Sequence, residues 1–216
     1  MPKLYIAGDS TASIKLDIKR PETGWGEFLD EFITPNIEVV NYAQNGKSTK
    51  SFITEGLLDR IDHEIQEDDY LLIQFGHNDE KLEDPSRYTD PRTEYKENLM
   101  RFILIAKKHQ AIPILLTSIT RRKFKDEKLE KHTVGEYPTQ MKEFAREHQI
   151  LLMDTYKITH QIISDAGVEY SKKFYLHLKP GESINYPDGI TDDTHLSPFG
   201  ARMIASLIAV ELKKII

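Results

Sequence analysis

The chain has 216 residues, 39% of them hydrophobic and 30% charged, with a formal net charge of −6. That length suits one domain, residues 1–216, around one sizeable core, and the acidic balance offers no basic face for nucleic acid. With no cysteine in the chain, disulfides, thiolate catalysis and cysteine-ligated zinc are excluded, and no apolar run reaches the length of a membrane span.

The amino terminus shows no basic segment followed by a long apolar stretch, so with Met1 as the start the chain reads as cytoplasmic. A first buried strand is predicted over 3–7, stopping at the turn Gly8-Asp9-Ser10-Thr11. Beyond a polar stretch, Trp25 reads as core, and a short helix over 27–32 puts Phe28, Leu29 and Phe32 on one side. A second strand over 37–41 leads to Asn45-Gly46, and Ile53, Leu57, Leu58, Ile61 and Ile65 then recur at helical spacing. The most apolar strand, 69–75, ends at Gly76-His77-Asn78-Asp79. The polar segment 80–93 exceeds most α/β connections, and loops of that length are often functional.

Tyr95, Leu99, Phe102, Ile103 and Ala106 mark the next helix, and 112–117 is a fourth strand with Pro113 near its start, where a missing donor is tolerated. A charged loop opens at Arg121-Arg122-Lys123. Pro138 fits a helix start, 150–153 is a fifth strand, and a helix covers 156–163. Residues 167–189 read as irregular, and Ser197-Pro198 caps and begins a last helix with Ile204, Leu207, Ile208 and Leu212 as its core stripe. Strands alternating with helices imply a parallel sheet of about five strands with helices on both faces.

The polar clusters share a placement. Ser10, Gly46 and Asn78 each follow a predicted strand directly, so they converge on the carboxyl rim, where open α/β sheets collect ligands. Acyl transfer needs a nucleophile, a base near neutrality and a carboxylate to hold the base. Ser10 is the nucleophile candidate, and Asp192-Asp193-Thr194-His195 can supply the rest from a loop, with either aspartate within reach of the histidine. Donors for a developing oxyanion are available from the Ser10 and Gly46 amides and the Asn78 side chain. His77, Asp79, Asp192 and His195 are also residue types that bind zinc or manganese, but metal binding would leave the serine and asparagine unexplained.

Gly8-Asp9-Ser10, Gly46, Gly76-His77-Asn78-Asp79 and Asp192-x-x-His195 resemble, in order, the four blocks of the SGNH (GDSL-type) hydrolases. The resemblance implies a flavodoxin-like three-layer fold, a catalytic triad of Ser10, Asp192 and His195, and an oxyanion hole from Ser10, Gly46 and Asn78. It selects Asp192 over Asp193. Within the family, Gln74-Phe75-Gly76-His77-Asn78-Asp79 and Asn185-Tyr186-Pro187-Asp188-Gly189 are similar to rhamnogalacturonan acetylesterases. The implied partner is an acetylated acidic oligosaccharide, with His77, Arg87 and Arg122 as candidate substrate contacts, guanidinium groups suiting galacturonate carboxylates. Neither cofactor nor metal is called for. Alternatives are a general arylesterase or thioesterase, which would want a long apolar cleft, and a glycan-binding module without activity.

Overall fold

The computed structural model describes residues 1–215. In chain order its elements are β1 (Lys3–Gly8), β2 (Glu38–Asn41), α1 (Thr49–Thr54), α2 (Leu57–Glu64), β3 (Tyr70–Gln74) and α3 (Glu94–Lys108). They continue with β4 (Ile112–Leu116), a small hairpin of β5 (Phe124–Lys125) and β6 (Lys128–Leu129), α4 (Tyr137–His148), β7 (Leu151–Met153), α5 (Thr155–Tyr170), β8 (Tyr175–Leu178), β9 (Ile190–Leu196) and α6 (Pro198–Leu212).

Five strands form one parallel sheet in the order β2-β1-β3-β4-β7, the flavodoxin-like arrangement. Successive strand residues face opposite layers. Leu4 and Ile6 pack with Trp25, Leu29, Ile163 and Ile204 toward α5 and α6. Tyr5 and Ala7 pack with Phe52, Leu57, Leu99 and Met141 toward α1 to α4. There Phe52, Phe75 and Phe102 meet with ring centroids 5.3 to 5.7 Å apart, adding about 0.5–1.5 kcal/mol per pair beyond their buried area. Among the described residues, no helix is long and apolar enough to cross a membrane.

Three local expectations need correction. The helical run beginning at Ile53 is two helices, because Gly56 at φ 76° ends α1 and starts α2 on a new axis while the apolar spacing carries on through the break. The short helix over 27–32 is a pair of 3₁₀ turns, Trp25–Glu27 and Leu29–Glu31. The first half of the stretch 167–189 is regular, the end of α5 and a 3₁₀ turn Ser171–Phe174 leading into β8, which pairs antiparallel with β9, while 179–189 is turns.

Candidate active site

The sheet reverses its order between β1 and β3, and ligands of open α/β sheets settle outside the strand ends at that point. Ser10 leaves β1 there and Asn78 leaves β3 there. Ser10 is buried, and its Oγ lies 3.1 Å from Nε2 of His195. Nδ1 of the same ring donates to Asp192 Oδ2 at 2.7 Å. The other carboxylate oxygen, Oδ1, accepts the backbone amides of Thr194 at 2.8 Å and His195 at 2.9 Å. Burial works against the charge of Asp192, but the His195 ring and these two amides outweigh it and bring the carboxyl down to about 2. An ionised Asp192 fixes the proton on Nδ1, which leaves Nε2 free to accept from the serine hydroxyl.

His195 comes from a strand and not from a loop. Leu176 faces Asp192 and Tyr175 faces Leu196, so Asp193, Thr194 and His195 have no partner across the hairpin and bulge out of it. The bulge aims the imidazole at β1. Asp193, the other aspartate in reach by spacing, turns away: its Oδ1 takes Arg122 Nη1 at 2.9 Å and His177 Nε2 at 2.8 Å.

The Ser10 and Gly46 amides make no hydrogen bond within the described residues. Gly46 sits at φ 77°, a backbone that side-chain-bearing residues avoid. Asn78 spends one amide hydrogen on the Lys47 carbonyl at 3.0 Å, which ties it to the Gly46 loop and leaves its second hydrogen for another acceptor.

Two of the three candidate substrate contacts are committed elsewhere. His77 is buried, with Nδ1 on Asp9 Oδ2 at 2.9 Å and Nε2 on the Ile119 carbonyl at 3.0 Å, so no ring nitrogen is left for a ligand. Burial raises the Asp9 carboxyl, yet the His77 ring and Thr11 outweigh it and hold it below the usual carboxylate range. Arg122 is buried as well: Nε donates to Ser171, Nη1 to Asp193 and Nη2 to the Val168 carbonyl. It braces the β9 bulge. Only Arg87 is placed at the rim, paired through Nε with Asp84, with Nη1 3.5 Å from where a Cβ on Gly46 would stand. His77 and Asp79 point into the fold, so they do not gather with Asp192 and His195 into a ligand set.

Asp79 accepts from Thr49 Oγ1, the Thr49 amide and Thr89 Oγ1, tying the β3 end to α1 and the 80–93 segment. Burial pushes its carboxyl up to about 7 despite those donors. A carboxyl raised above its unfolded value near 3.9 favours the fold fully at acid pH and loses that contribution as pH rises through about 7. Asp79→Asn keeps the accepting oxygen and cannot ionise. Relative to wild type, its stability should therefore improve by roughly 2–3 kcal/mol between pH 5 and pH 8, read from urea midpoints at each pH.

Three further residues shape the site. Arg121, whose charge suggests a solvated loop, is buried: Nε donates to Thr194 Oγ1 at 3.1 Å, Nη2 to the His77 carbonyl at 3.0 Å, and Nη1 pairs with Glu80. Its position just past β4, on the same rim as Ser10 and Asn78, was the available signal. Lys15 and Glu22 are the others, and the close glycines Gly24 and Gly26 were their trace. A Cβ on either would strike the backbone of Ala12 or Ser13, so the segment carrying Glu22 lies directly on the nucleophile turn. Taken together, a hydroxyl, an imidazole and a carboxylate in one line, beside three unspent N–H donors, can carry out nucleophilic acyl transfer.

A family model described as GDSL-like lipase/acylhydrolase matches residues 4–208. Rhamnogalacturonan acetylesterase RhgT of Bacillus subtilis is 38% identical over 213 residues, 99% of this chain and 90% of that protein. The probable rhamnogalacturonan acetylesterase YesY of the same organism is 34% identical, over 98% of this chain and 93% of its own length. Among solved structures, the Bacillus subtilis protein YxiM superposes with a TM-score of 0.82 at 25% identity, covering 99% of this chain and 56% of that one.

Proposed function

The chain belongs to the GDSL-like lipase/acylhydrolase family and is a carboxylic ester hydrolase; on that footing we propose that it is a serine carbohydrate esterase, removing acetyl groups from acetylated, rhamnogalacturonan-type pectin oligosaccharides. Ser10 Oγ attacks the acetyl carbonyl as His195 Nε2 takes its proton, and Asp192 holds the resulting imidazolium. Negative charge gathers on the carbonyl oxygen, where the Ser10 and Gly46 amides and Asn78 Nδ2 donate to it; each such donor contributes about 3 kcal/mol. The intermediate collapses, the C–O bond to the sugar breaks, and His195 gives its proton to the departing oxygen. A water, deprotonated by the same ring, then cleaves the acetyl-enzyme to acetate. No cofactor enters any step. The reading rests on the unbroken line from Ser10 through His195 to Asp192, at 3.1 and 2.7 Å.

The substrate assignment is supported by the names of the two Bacillus relatives and by the rim. A cavity of about 270 Å³ beside Gly46 is lined by Lys47, Glu55, Asp84, Ser86 and Arg87, polar groups that suit a hydroxylated, charged ligand and not an acyl chain. Acetate release from acetylated rhamnogalacturonan fragments should exceed that from acetylated xylan at least tenfold, the difference an added charge-assisted contact can make. Arg87→Ala should raise KM for the acidic fragments while leaving p-nitrophenyl acetate turnover unchanged. Equal release from the two glycans would exclude this substrate.

A further inference from the structure

The mechanism uses one carboxylate on His195, yet a second lies close on the other side of the ring. Glu22 is buried, and its Oε1 is 3.9 Å from His195 Nε2. The same oxygen is 2.8 Å from the ammonium of Lys15, itself buried beneath the nucleophile turn. An ammonium has three protons. Those of Lys15 are spent on the Ser10 carbonyl, on Ser13 Oγ at 2.9 Å and on Asn45 Oδ1 at 2.6 Å. Glu22 Oε1 therefore competes with three other oxygens for the Lys15 ammonium, and no other group donates to it among the described residues. Buried polar atoms seldom go unsatisfied, and a buried ion pair rarely stabilises a fold more than apolar packing would. A buried ion pair whose carboxylate stands 3.9 Å from a base that becomes charged during turnover points to use in the reaction.

We infer that Lys15 and Glu22 are positioning residues for the ester hydrolysis: Lys15 holds Ser10 and the Asn45-Gly46 loop in one register, and Glu22 stabilises the imidazolium that His195 becomes. The inference rests on the serine-triad reading above. Asn45 immediately precedes the oxyanion glycine, so one ammonium joins the nucleophile to the loop that must receive the carbonyl oxygen. The charged and titratable groups around the ring are Asp192 on Nδ1, Glu22 near Nε2, and Lys15 behind Glu22. Further out are Tyr186, whose phenol feels Glu22 and Asp192, Arg121, which feels Asp192, and Asp193, bound to Arg122 and His177.

The pair predicts opposite pH responses. Glu22→Gln removes the second carboxylate and leaves Lys15 uncompensated, so the acid limb of kcat/KM on p-nitrophenyl acetate moves down by about one pH unit, and kcat falls about 10-fold. Lys15→Met leaves Glu22 unopposed and moves the acid limb up. KM stays within about twofold in both, since neither residue binds the small ester. The uncharged double variant K15M/E22Q leaves no buried charge behind and serves if a single variant fails to fold. Its acid limb should sit between those of the singles, with kcat still reduced about 10-fold because the clamp is gone. An unmoved E22Q limb, singles that move the same way, or a double variant with wild-type kcat overturns the inference. S10A in the same assay separates the two readings: if it is inactive while the E22Q limb is unmoved, Glu22 alone loses its role, and if S10A is active the triad reading itself has failed.

Discussion

Ser10→Ala is expected to lower kcat on p-nitrophenyl acetate by on the order of a million-fold, the scale at which a triad collapses when its nucleophile is removed. The reason is the absence of any substitute. Thr11 Oγ1 is buried and donates to Asp9 at 2.7 Å, and Ser13 Oγ bonds Asn45 at 2.6 Å, so neither hydroxyl can take over from the adjoining turn. Water would have to attack in place of Ser10, with the amides of residues 10 and 46 and Asn78 still able to stabilise the oxyanion. That leaves a small residual rate. The fold should survive, because among the described residues Ser10 Oγ bonds only His195, and the backbone carbonyl of residue 10 keeps its bond to Lys15. A urea midpoint within about 0.5 kcal/mol of wild type checks this. A serine-directed fluorophosphonate should label wild type and not the variant. Retention of more than about one part in a hundred of the wild-type rate would remove Ser10 from the mechanism.

The sheet and its rim were readable because they obey local rules. Leu4 and Ile6 alternate with Tyr5 and Ala7 between two apolar layers, and β1, β3 and β4 each break into polar residues at the carboxyl rim. The gathering of Ser10, Gly46 and Asn78 follows from parallel strands alone. The β8–β9 hairpin was hidden because His177 pairs with Thr191 and Leu176 with Asp192, which breaks the apolar alternation, and because the bulge Asp193-Thr194-His195 interrupts the ladder before Tyr175 meets Leu196. Assigning His77 and Arg122 to substrate failed for another reason. Residue type discloses that a group can donate but not where its donors are spent, and Ile119, Val168 and Ser171 are distant in sequence. Lys15 and Glu22 escaped for the same reason: their partners are Asn45 and His195, and an isolated lysine or glutamate ordinarily faces water.

Asp192→Asn should lower kcat about 10,000-fold with KM nearly unchanged, although the substitution alters only one atom's identity. Oδ1 of the new side chain can still accept the Thr194 and His195 amides, so the bulge keeps its shape. The atom facing His195 Nδ1 becomes an NH₂ donor. The ring must then present a bare Nδ1 and carry its proton on Nε2, pointing at Ser10 Oγ 3.1 Å away, where it can no longer accept one. The imidazolium also loses the charge that stabilises it. A stability difference should accompany the kinetic one, with a definite sign. Asp192 is held down at about 2 in the fold against about 3.9 unfolded, so wild type's advantage over the variant is present above about pH 4 and is lost as pH falls toward 2. Urea midpoints at pH 7 and pH 3 read that change, and initial rates on p-nitrophenyl acetate read the first. A variant within tenfold of wild-type kcat would mean that Asp192 does not orient the imidazole; Glu22 lies 3.9 Å from Nε2, the nitrogen that must stay free to take the serine proton, and cannot hold the Nδ1 proton in its place.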